Sequence, residues 1–144
     1  MMSQNYPYGV GISNVGSYQV SGIPYATSSI AAAASSGTPT EINFPDVTQR
    51  IFVSNIQTQP LRVGFSSNGV KGTNYFLIPA ASSSTAGFAV QEFRVKVKSI
   101  YLLSNTATPA SASIFAELSN IDTNLLNQSG PTGLSNWSGS VGVG

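Results

Sequence analysis

The chain contains neither cysteine nor histidine. Those absences remove disulfides, thiol nucleophiles, the usual zinc and copper ligands, and the one side chain that titrates near neutrality. Missing cysteine alone says nothing about redox compartment. Charge is also scarce, at 8% of residues, where an average soluble domain carries roughly 25%. The formal net charge is +1, so there is no global field to hold a polyanion. No run of 18 apolar residues occurs, and the first residues lack a basic region followed by a hydrophobic stretch. Neither a transmembrane helix nor a cleavable signal is therefore expected. With so few charges, solubility rests on Ser, Thr, Asn and Gln, and copies of the chain repel one another only weakly.

The catalytic inventory is thin for the same reason. Catalysis needs a nucleophile with its base, an acid–base pair, or a metal. Serine is plentiful but has no histidine to activate it, and the Ser-x-x-Lys pattern is missing. The carboxylates are Glu41, Asp46, Glu92, Glu117 and Asp122. Glu92 and Glu117 form a glycosidase-type pair only if the fold brings them face to face; otherwise each neutralises a basic neighbour. Asp122-Thr-Asn124 has a calcium-like spacing, but the Gly and closing Glu of a calcium loop do not follow. No phosphate-binding glycine motif occurs either. No enzyme activity, metal or cofactor is expected. Asn-x-Ser triplets stand at Asn127 and Asn136 and matter only where a glycosylation machinery is met.

What is present is unevenly distributed. All eleven charged side chains lie between Glu41 and Asp122. Residues 1–40 are dominated by Gly, Ser, Ala, Pro and Tyr, and the island SSIAAAASS within them is too short to hold a helix alone in water. Residues 123–144 are again Gly- and Ser-rich. Tyr6, Tyr8, Tyr18 and Tyr25 in the first segment and Trp137 in the last argue for arms that order on neighbouring subunits, because plain linkers are poor in aromatics.

The middle, 41–122, reads as short strands between turn signals. TEINF, TQRIFVSN, LRVGFS, TNYFLI, GFAV, EFRVKVK, SIYLLS and ASIFAEL follow at roughly ten-residue spacing, and Asn68-Gly69 suits a tight hairpin. No segment keeps a 3.6-residue apolar period, so the fold class is all-β, a sandwich or barrel. A core of about 80 residues is small, since at about 60 residues only about 60% of the unfolded surface is buried. Burial against neighbouring subunits compensates for that, and a homo-oligomer is expected.

The stretch EFRVKVKSIYLLS concentrates half of the cations: Arg94, Lys96 and Lys98. They alternate with Phe93, Val95 and Val97, the period of a half-buried strand. One face enters the core while the basic stems cover the outside. Nucleic-acid binding would need more cations and exposed aromatics in one groove, so direct contact with nucleic acid is not expected. After Ser99 the apolar parity changes to Ile100 and Leu102, which predicts a turn, bend or bulge there.

The order INFPDVTQRIFVSNI, LRVGFSSNGVKGTNYFLI, FRVKVKSIYLLSN, SIFAELSNI resembles the small single jelly-roll proteins of icosahedral virus capsids. The likeness is to penton (vertex) and minor capsid proteins of large double-stranded DNA viruses, and it covers roughly residues 41–122. It implies an eight-stranded jelly roll with extended arms, a place in the virion shell, other capsid proteins as partners, and a pentamer around a vertex gripped by N-terminal arms. The family carries no motif of functional side chains. The interface candidates from this chain alone are Tyr6, Tyr8, Tyr18, Tyr25, Arg94, Lys96, Lys98 and Trp137. The alternative is a capsid-decoration or receptor-binding jelly roll with a carbohydrate site, for which Trp137 among Ser135, Asn136 and Ser138 is the candidate.

Overall fold

The computed structural model describes residues 22–81, 89–123 and 139–144. The chain forms β1 (Ile23–Ala32), β2 (Thr40–Asn43), β3 (Asp46–Asn55), β4 (Leu61–Gly64), a one-turn helix α1 (Ser67–Lys71), β5 (Tyr75–Ile78), β6 (Val90–Phe93), β7 (Ser99–Ser104) and β8 (Ala110–Asp122). Two-residue periodicity sets the faces. In β8, Ala110, Ala112, Ile114, Ala116 and Leu118 are buried while Ser111, Ser113, Phe115 and Glu117 look outward.

The strands make two antiparallel four-stranded sheets, ordered β1-β8-β3-β6 and β2-β7-β4-β5. Neighbours in space are β1 with β8, β2 with β7, β3 with β6 and β4 with β5. The chain is thus one long hairpin, with β4 and β5 at its tip, rolled until β8 also pairs with β3 and β7 with β4. That order is the eight-stranded jelly roll expected from the sequence. Between the sheets lies one core that includes Ile42, Phe44, Ile51, Val53, Leu61, Val63, Ile78, Val97, Ile100, Leu102, Ile114 and Leu118.

Several local expectations change. The sandwich begins at Ile23 rather than at residue 41, because β1 pairs with β8 along Ile23–Ala32. Alanine's helix preference is a weak prior, and here the ladder to β8 overrides it, burying Ala32 completely. Residues 23–40, expected in an uncharged arm, therefore belong to the folded body. The described residues of GFAV and EFRVKVK, read as two strands, contribute to one, β6; it stops at Phe93, and 94–97 run extended outside the regular ladder. Asn68-Gly69 makes no tight turn: β4 and β5 do pair as a hairpin, but across residues 65–74. Ser66 caps α1 instead, its hydroxyl accepting the Gly69 N–H at 2.9 Å. The parity change at Ser99 is a bend at Lys98, after which β7 starts in the other sheet.

At the far end, residues 139–144 fold back as a turn. The Ser66 hydroxyl faces the carbonyl oxygens of Val143 and Gly144 at 2.8 and 2.6 Å. The last residues of the 123–144 segment thus rest on the body beside α1.

Candidate assembly surface

Each sheet leaves two edges, and β5 and β6 are the edges on one flank of the sandwich. Phe93, at the end of β6, bridges that flank. Its ring meets Phe76 of β5 edge-on at 5.7 Å between centroids, and Phe65 edge-on at 6.0 Å. Phe65 and Phe93 are half-buried against the core. Phe76 and Leu77 remain 47% and 43% exposed, and Val90 on the neighbouring edge 45%. Strand β5 carries no charge at all, so this edge lacks the lysine or proline that usually blunts stray strand pairing within an edge.

Beyond Phe93 the basic stretch is held by Thr48. The Thr48 N–H donates to the Val97 carbonyl at 2.9 Å. Its hydroxyl donates to the Val95 carbonyl at 2.7 Å and accepts the Val97 N–H at 3.1 Å. This turns Val95 and Val97 towards the core and leaves Arg94 and Lys96 exposed. The alternation seen in the sequence is thus real, but a side-chain hydroxyl maintains it rather than a sheet ladder. Phe65, Val95, Val97 and Val143 line a groove of about 370 Å³ beside Arg94 and Lys96. Lys98 is set apart: it is half-buried at the bend, and its carbonyl accepts the Phe44 N–H at 2.9 Å.

The remaining interface candidates separate. Tyr25 lies in β1, packed edge-on against Phe44 at 5.2 Å, so its ring is committed to the intrachain core margin rather than to an arm. Tyr6, Tyr8, Tyr18 and Trp137 lie outside the described residues. The two carboxylates considered as a catalytic pair flank one cation on the outer face of the first sheet. Arg50 Nη1 is 3.4 Å from Glu92 and Arg50 Nε is 3.5 Å from Glu117. Glu92 also accepts from Arg94 Nε at 3.1 Å.

Sequence reasoning did not single out Phe65, Phe76 and Leu77, and it named Phe93 only as an inward-facing strand residue. A usable signal was there in YFLIP, a run of consecutive apolar residues with no charge on either parity. Such a strand has no face suited to water.

No protein-family model, curated protein or solved structure matches this chain.

Proposed function

We propose that this chain is a structural subunit of an icosahedral viral capsid, at a vertex or minor shell position, and that it assembles through the β5/β6 flank of its jelly roll. The observation that carries the reading is the pair of exposed apolar edges, Phe76 and Leu77 beside Val90, on one side of a jelly roll whose net charge is only +1. Monomers rarely leave such edges open, and covering them against a neighbour buries apolar area that water otherwise contacts. The resemblance to penton and minor capsid proteins supports the same reading. So do the aromatic residues of the 1–21 segment, which suit an arm over neighbouring subunits.

Electron microscopy of particles that carry this chain tests the proposal. Jelly-roll density at five-fold vertices supports the vertex position, and density embedded elsewhere in the shell supports a minor subunit. Density scattered on the outer surface makes it a decoration protein. Particles without the chain in their shell end the capsid reading.

A further inference from the structure

The outer face of the sheet β1-β8-β3-β6 holds a second feature, independent of the β5/β6 flank. Ala26 of β1, Phe115 of β8 and Phe52 of β3 stand in one cross-strand row. The two rings lie 6.2 Å apart at a 40° tilt, and Phe115 is 40% exposed. The next position along pairs Ser54 with Ser113. Beyond Thr27, β1 slips register against β8 before Ile30, and Ser29 in the slip takes a left-handed φ of 59°. That conformation is uncommon for a residue other than glycine, and such bulges re-aim side chains. Ser28, next to it, lines a trough of about 300 Å³ together with Phe52, Ser54, Ser113 and Phe115.

The chemistry of this trough is specific. Several hydroxyls hold the fold: Thr48, Ser66, Ser104, Thr106 and Ser119 hydrogen-bond to backbone or side-chain groups. Among the described residues, the hydroxyls of Ser28, Ser54 and Ser113 make no such bond. They are free donors and acceptors around an exposed aromatic ring. The charges at the border, Arg50 and Arg94 with Glu92 and Glu117, balance one another. An ionic ligand therefore finds no uncompensated charge here. A ligand that fits must be neutral, carry an apolar face for Phe115, and offer several hydroxyls at its rim. A pyranose ring has all three properties, and the volume lies at the small end of ligand pockets. We propose that this trough is a binding site for a neutral saccharide.

The test uses the full-length, isotope-labelled chain and the methyl glycosides of mannose, galactose, glucose and N-acetylglucosamine as probes. Saturable amide shifts confined to residues 26–28, 52–54 and 113–115 are expected with at least one probe. Phe115→Ala is expected to weaken binding by about tenfold or more, the loss of one good contact, and Phe115→Trp to retain or strengthen it. If Phe115→Ala perturbs the amides of the opposite sheet, the Ser54→Ala/Ser113→Ala pair is read instead, with the same loss expected. The proposal is overturned by the absence of saturable shifts with all four probes, or by shifts that survive both sets of substitutions. Concentration-dependent shifts of these same amides without sugar also overturn it, since they make the trough a contact between copies.

Discussion

Thr48 and Val97 are bonded reciprocally: the Thr48 N–H donates to the Val97 carbonyl at 2.9 Å, and the Thr48 hydroxyl accepts the Val97 N–H at 3.1 Å. Both residues are buried, at 0% and 3% exposure. A single hydroxyl thus substitutes for ladder bonds where β3 loses register with β8. Thr48→Val keeps the shape and leaves the Val95 carbonyl and the Val97 N–H without their partner. It should destabilise the chain by about 1–3 kcal/mol, with Thr48→Ser close to wild type. Denaturant unfolding measures the first effect, and faster hydrogen exchange at Val97 in the valine variant localises it.

Phe93 carries the flank because it touches both Phe65 and Phe76. Truncating a bridging, half-buried ring costs more than truncating an exposed one. Phe93→Ala should lose roughly 2–3 kcal/mol, below the range for fully buried Phe. Phe76→Ala should lose under about 1 kcal/mol. Equal losses in thermal or chemical unfolding would remove Phe93 from its bridging role.

Assembly and folding should respond separately at this flank. Leu77→Lys in the exposed edge is expected to abolish association while shifting unfolding free energy by no more than about 1 kcal/mol. Replacing Arg94, Lys96 and Lys98 together by Gln should weaken association more than folding. Mass photometry alongside thermal unfolding separates the two effects. Unchanged association in the triple variant returns the cations to plain solvated charges.

Arg50 sits between Glu92 and Glu117, with its side chain about one-third exposed at 34%. Arg50→Met removes the cation that Glu92 and Glu117 share and leaves Arg94 as the partner of Glu92. Half-exposed pairs are weak, so the loss should be about 0.5–1 kcal/mol at low salt, and it should shrink in about 0.5 M sodium chloride, where screening acts over a few ångströms. Urea unfolding at both ionic strengths checks this. A loss independent of salt would mean that the arginine stem packs on Phe52, over whose ring its guanidinium stands at 5.9 Å, rather than balancing charge.

Ser66 serves α1 and residues 143–144 at once. Ser66→Ala should cost about 1 kcal/mol, as for other lost caps. It should also speed hydrogen exchange at Val143 and Gly69 relative to Val63 in β4. Uniform exchange across all three would show that the turn at 139–144 does not depend on Ser66.

How much of this was legible from the residues alone differs by element. The alternation through 93–98 placed Val95 and Val97 inwards and Arg94 and Lys96 outwards, and the parity change at Ser99 located the bend, because side-chain direction along an extended chain is local. TNYFLI ending at Pro79 marked β5 for the same reason. Strand β1 was illegible: TSSIAAAASS has neither alternation nor β-branched density, and only the facing edge of β8 makes it a strand. The Asn68-Gly69 step misled only about the turn: β4 and β5 do pair, but Ser66 caps a helical turn between them in place of a two-residue connection. The saccharide trough left no sequence trace. Its members lie in β1, β3 and β8, more than 20 residues apart in each case, and only the register of the three strands brings Ser28, Ser54 and Ser113 together.

The residues by themselves determined the all-β class, the scarcity of charge and the faces of the individual strands, because composition and period-two alternation act over neighbours in the chain. Tertiary structure alone decided which strands share a sheet, which edges stay open, and which hydroxyls are left without partners. Those properties arise from pairing between distant segments, and no local pattern encodes the partner.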